Sequence, residues 1–189
     1  MTWLKNNSYT VARMLIYQFG IAILGIILSV ATATRLYLML MVSIYAVLFY
    51  VILLYMMTWE DGAKEGIRDE AGITRVDRLL GLKLSLVANI PNFLITLLLL
   101  VGHLFGAVLT EATWAQTTFV VAHGAGAVWE SMYLGIINTL IPVGNSTSYL
   151  YIIAYALTPL PSIGACTLGY LLGSYNKRIF GRLTEKKKS

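Results

Sequence analysis

The stretch "VVAHGAGAVWESMYLGIINTLIPVGNSTS", Val120 to Ser148, decides how the chain folds. It is apolar enough to be taken for a membrane crossing. Yet it holds His123, one of two histidines, and Glu130, one of two carboxylates between Lys83 and Lys177. From Trp129 onward, Trp129, Met132, Tyr133, Ile136, Ile137 and Leu140 follow the i, i+3, i+4, i+7 spacing of one helix face. Ser131, Gly135 and Asn138 fall opposite, Glu130 and Thr139 flank the stripe, and Leu134 is the misfit. A crossing is apolar all round, whereas an interfacial helix gathers its apolar residues on one side. The pattern therefore predicts an amphipathic helix lying on the outer surface, stopped by Pro142 and Gly144, with "HGAG" (His123 to Gly126) as a flexible link. The upstream piece "TWAQTTFVVA" is too short to cross alone at about 1.5 Å per residue, and is expected to dip in as a re-entrant half-helix.

Around this stretch the chain is a membrane protein by composition. Of its 189 residues 58% are hydrophobic and 12% charged, about half the charge of a soluble domain. Three runs read as spans: 14–33, 36–58 and 84–109. Each has the roughly 20 residues needed to cross about 30 Å of hydrocarbon. Lys5, Arg13 and the small residues "ATA" at Ala31 to Ala33 resemble a cleavable signal, but the first run is longer than a usual signal core, which favours a retained span. Arg35 sits in the tight turn between the first two spans, making them an antiparallel hairpin. Cys166 lies in an apolar run and has no second cysteine to pair with.

Charge sets the orientation. The segment 59–83 carries six acids and five bases, the tail 176–189 six bases, and residues 84–176 no lysine or arginine. The positive-inside bias puts the amino terminus, that loop and the tail in the cytoplasm, which requires an even number of crossings. The expected fold is an all-α integral membrane protein. It is a four-span antiparallel bundle (14–33, 36–58, 84–109, 149–175) with a re-entrant or amphipathic outer region, 110–148. Five spans are the alternative. Trp114, Trp129, Tyr149 and Tyr151 are expected to form the outer aromatic belt and Trp59 the inner one. The net charge of +5 does not indicate nucleic-acid binding, because the bases sit at span ends and in the tail, where anionic headgroups are the expected partner. A bacterial plasma membrane is the expected location, from the compact chain and short loops.

Ionisable groups in the apolar part are the functional candidates: His103, Glu111, His123 and Glu130. They show no metal-ligand spacing, no nucleophile elbow and no phosphate loop, so no cofactor or metal is predicted. Asn89 and Asn92 flank Pro91, which removes a backbone hydrogen bond and kinks span three. Thr158 is expected to cap a helix beginning at Pro159, with Pro161 adding to the kink, while Gly169 and Gly173 give a small-residue stripe for close packing. The "NST" at Asn145 and "NNS" at Asn6 fit glycosylation acceptors only formally. The first functional expectation is a non-enzymatic accessory or assembly subunit whose segment 59–83 docks a cytoplasmic partner. The alternatives are a small transporter or channel using the kinked spans, and an enzyme or metal site at the outer mouth.

Overall fold

The computed structural model describes residues 2–108, 113–141 and 149–175, and every described element is helical. Helix α1 (Thr2–Thr32) and α2 (Leu36–Glu70) form the hairpin about Arg35. Two helices, α3 (Leu80–Ala88) and α4 (Ile90–Val108), meet at Asn89 with a 50° bend. Then α5 (Thr113–Trp129) gives way at Glu130 to a 3-10 turn (Ser131–Tyr133) and α6 (Leu134–Leu140), a bend of 81°. Finally α7 (Tyr149–Leu157) and α8 (Pro159–Ser174) are separated by Thr158. Three helical stretches, Asn7–Thr32, Leu36–Glu70 and Tyr149–Ser174, are long and apolar enough to cross a membrane, and the two bent pairs raise the number to as many as five.

The surface explains why such a chain needs lipid. Ile16, Phe19, Ile23 and Ile27 make an exposed apolar stripe along α1, and Met41, Tyr45, Leu48 and Ile52 another along α2. In water, contiguous apolar faces of this kind are association sites; in hydrocarbon they are the ordinary outer face of a helix. The interior is closed by Met14, Leu54, Leu84, Leu99, Met132, Tyr155 and Tyr170.

Two helix pairs set the frame. Along α2 and α8, Gly169 meets Tyr55 and Thr58, Gly173 meets Trp59, Gly62 meets Tyr170, and Gly66 meets Ser174, so the register advances together and the helices are parallel. A methyl group at any of these glycines would overlap the facing backbone carbonyl, which is how a small-residue stripe brings two helices close. Along α4 and α5 the register runs oppositely: Gly102 packs on Phe119 and Asn92 reaches Trp129, so this pair is antiparallel.

Several expectations change here. The segment 59–83 does not begin as a connector: α2 continues as helix to Glu70. It ends in a Schellman motif, with Gly72 at φ 71°, Ile73 N–H on Arg68 O and Gly72 N–H on Asp69 O at 2.9 Å each. The third run is not one straight helix, because Pro91 supplies no N–H to the carbonyl of Val87 and the chain turns at Asn89. "HGAG" is not a link but the third and fourth turns of α5; Gly126 is there because a side chain would strike the Tyr155 ring. No continuous helix starts at Trp129, and the predicted faces do not separate: Met132, Tyr133 and Ile137 of the apolar stripe are buried, but so is the side assigned as polar. Ser131 and Gly135 are buried, while Leu140, assigned to the apolar stripe, is 73% exposed. The cause is size. Ser131 and Gly135 are small enough to let the turn lie on Gly25 of α1 and on Met39 and Ser43 of α2. Glu111, Pro142, Gly144, Asn145 and the basic tail lie outside the described residues.

Candidate functional site

Three helix interruptions, at Asn89, Glu130 and Thr158, are tied together by side chains. Each interruption frees backbone groups, and in an apolar surround those groups and their polar neighbours must be satisfied within the protein.

The break at Asn89 is held on two sides. Asn89 Nδ2 donates to Ser85 O at 2.8 Å and to Ser162 Oγ of α8 at 3.0 Å, while the Ser162 hydroxyl also contacts Asn89 Oδ1 at 3.2 Å and Pro159 O at 2.8 Å. One turn further, Asn92 Oδ1 accepts from Gln18 Nε2 of α1 and from the Trp129 indole Nε1, each at 2.7 Å. Tyr50 OH of α2 approaches Gln18 Oε1 at 3.5 Å. Asn89 thus bonds locally and across helices, and Asn92 across helices. Trp129, expected in the outer belt, is instead an interior anchor.

Glu130 is fully buried, at 0% exposure. Its Oε2 lies 2.5 Å from Thr158 Oγ1, and its Oε1 has no hydrogen-bond partner among the described residues. The Tyr133 hydroxyl, three residues on, is likewise buried and unpartnered. Tyr133 N–H bonds Glu130 O at 2.8 Å, closing the 3-10 turn, and in that geometry side chains at i and i+3 eclipse. The ion pairs among the described residues, Lys64–Asp61 and Lys83–Asp77, are elsewhere. An unpaired carboxylate in such a place costs several kcal/mol even after relaxation, so it must gain a proton or a cation.

Thr158 registers which. It does not cap α8 with its side chain; its Oγ1 lies 2.8 Å from Tyr155 O as well as beside Glu130. A hydroxyl has one hydrogen. With Glu130 protonated, the carboxyl donates to Thr158 and Thr158 donates to Tyr155 O. With Glu130 ionised, the Thr158 hydrogen turns to the carboxylate and the Tyr155 carbonyl loses it. The charge state of one helix break is thereby coupled to the backbone of another.

The histidines belong to an aromatic column beside this cluster. His103 meets Tyr149 edge-on with ring centroids 4.4 Å apart, His123 stacks on Tyr151 at 4.9 Å, and Tyr151 packs on Tyr155 at 4.9 Å with its hydroxyl 3.1 Å from that of Tyr155. Phe119 lies 6.2 Å from each histidine. Tyr151, expected at an interface, is buried within the column. No group of three or more histidine, cysteine, aspartate or glutamate side chains comes together to hold a metal among the described residues. Pro91 stands two residues after the interruption at Asn89 and Pro159 directly after that at Thr158, Pro161 lies in the first turn of α8, and Gly169 and Gly173 lie in the α2 seam away from the cluster.

Sequence reasoning missed Gln18, Ser131, Tyr133 and Ser162. Gln18 had a legible signal, an amide in the middle of an otherwise apolar run. Comparison of the chain with family models, curated proteins and solved structures finds no match.

Proposed function

We propose that this chain is a small membrane transporter or channel whose working centre is Glu130. One observation carries the reading: a fully buried carboxyl stands at a helix break, bonded through one oxygen to a second break and unpartnered at the other. Broken helices meeting around an ionisable group are how transport proteins place charge-binding groups inside the bilayer.

The same reading takes four crossings: α1, α2, the α3–α4 pair and the α7–α8 pair. In it, α5 enters from the outer side, reaches Asn92 at Trp129, turns by 81° and returns toward the start of α2, where Gly135 packs on Met39. This supports a re-entrant element over a fifth crossing. The parallel register of α2 and α8 agrees with both ending on one side. The basic residues make that side the cytoplasm, in what we take to be a bacterial plasma membrane.

Reconstituted vesicles test the proposal. Charge movement on a solid-supported membrane, after jumps in NaCl, KCl or pH, is expected for the wild type and lost in Glu130→Gln, which keeps the bond to Thr158. Wild-type vesicles as silent as protein-free ones under all three jumps would sink it.

A second reading, an accessory subunit, is favoured by the helical extension of α2, which carries exposed Glu60, Arg68, Asp69 and Glu70. One face of it is already used: Gly62 and Gly66 lie on α8, and Tyr170 OH donates to Glu65 Oε2 at 2.5 Å. If the other face docks a partner, a stoichiometric companion purifies from native membranes and is lost on Arg68→Glu. Its retention by that variant counts against the reading.

A further inference from the structure

We propose that Glu130, Tyr133 and Thr158 form a binding site for a small monovalent metal cation, sodium ion being the fitting member, and that a proton competes with it for the Glu130 carboxylate. The inference rests on the transport reading only for its use, not for the site itself.

Charge comes first. One carboxylate in an apolar surround neutralises one positive charge. A divalent ion would leave an uncompensated charge, since no second acid of the described residues bears on Glu130. Donor type comes next. The oxygens at hand are the Thr158 hydroxyl, bonded to the carboxylate, the Tyr155 carbonyl that Thr158 also contacts, and the hydroxyl of Tyr133 on the same turn. Oxygen donors select hard cations over the transition metals that imidazole and thiolate prefer. Two of these oxygens, Glu130 Oε1 and Tyr133 OH, are buried and without partners, on side chains that the 3-10 turn eclipses. Buried polar atoms in native proteins are almost always satisfied, and two bare ones on one turn, within electrostatic reach of each other, point to an occupant.

The titratable groups around Glu130 are few. Tyr133 on its own turn and Tyr151 and Tyr155 on α7 are within electrostatic reach of it. From α1 and α4 the cluster receives Gln18 and Asn92, which are neutral at all relevant pH, and from α2 Tyr50. His123 is one ring away, stacked on Tyr151. Among the described residues no lysine or arginine pairs with Glu130, so a proton and a metal ion are its available countercharges.

The test is equilibrium binding in detergent. The full chain in choline chloride is titrated with NaCl at pH 8 and at pH 5.5, following thermal stability and tryptophan emission, to which Trp129 next to Glu130 contributes. Sodium is expected to raise the melting temperature over choline at pH 8. The half-saturating concentration should rise as pH falls, by about tenfold per unit where the proton holds the carboxylate. Glu130→Gln is expected to lose both the sodium and the pH response while melting normally in choline. Tyr133→Phe is expected to weaken the sodium response and keep the pH response. A wild type that responds equally to sodium and choline at pH 8, or a sodium response that survives in Glu130→Gln, overturns the site. So does a Glu130-dependent pH response that sodium leaves unmoved. Sodium binding in detergent without charge movement in vesicles would leave the site standing and remove the transport reading; charge movement without sodium binding would do the reverse.

Discussion

The α2–α8 seam and the cluster at Glu130 solve opposite problems. Along the seam both helices are regular, their backbone groups bond internally, and glycines let the backbones touch. At the cluster three helices are interrupted, and asparagine, glutamine, serine and threonine side chains fill in for the lost regularity. The comparison teaches that tightness in this fold comes from having no side chain, and adaptability from having polar ones. A seam of touching backbones has one geometry, whereas a hydroxyl such as Thr158 has a choice of acceptors.

The largest expected effect breaks the seam. Gly173→Leu drives a side chain into the Trp59 carbonyl, which neither helix can move without unzipping the stripe, and should cost about 3 kcal/mol or more. Gly164→Leu, on the same helix with open space around it, should be nearly silent. Thermal melting and monodispersity after extraction read the difference. Equal behaviour of the two variants would mean that the seam is not what holds α8.

A middle-sized effect separates the two asparagines of the cluster. Asn92→Leu removes the acceptor of both Gln18 and Trp129 and leaves two buried donors bare, for an expected loss of about 1–3 kcal/mol. Asn89→Leu strands nothing comparable, because Ser162 still donates to Pro159 O and Ser85 O still receives the Asn89 amide N–H at 3.0 Å. Its loss should stay below about 1 kcal/mol. A melt in which Asn89→Leu is the worse variant would show that the polar links do not work by satisfying donors.

The two regions also differ in how far sequence reveals them. The seam is legible because its signal is local: Gly169 and Gly173 four apart put small groups on one face. Long apolar runs are equally plain. In the cluster Glu130, Asn89 and Asn92 stand out singly, but their pairing is not legible, because the partners are far apart in the chain: Glu130 meets Thr158, and Asn92 meets Gln18, 74 residues away. Periodicity after Trp129 misleads for a physical reason. It sorts residues by polarity alone, whereas close helix approach inside a membrane protein also takes in small residues, so Ser131 and Gly135 are buried along with Met132, Tyr133 and Ile137 while Leu140 is exposed. The extension of α2 was readable after all in Gly72, since a glycine following "DEA" is a helix C-terminal signal.

Beyond both regions, the Asp77–Lys83 pair shows what a charge is worth outside the apolar zone. Lys83 Nζ lies 2.6 Å from Asp77 Oδ2, and the Leu79 N–H donates to Asp77 Oδ1 at 3.1 Å. The lysine hydrogen bond foremost, helped by that amide, holds the Asp77 carboxyl below its ordinary value of 3.8. A lowered folded value means stability that is present above 3.8 and lost as pH falls through the folded value. Both side chains are nearly half exposed, so solvent screens the pair and its worth is at most a few tenths of a kcal/mol. Asp77→Asn should therefore melt slightly earlier than the wild type at pH 7, and the gap should close as pH falls below 3.8 and through the lowered folded value. A gap that persists in strong acid would show that Asp77 acts through the turn it caps rather than through its charge. The contrast with Glu130 is then one of surroundings alone: the same carboxylate chemistry is a minor contact where water reaches it and, in the function we propose, a charge-binding centre where water is excluded.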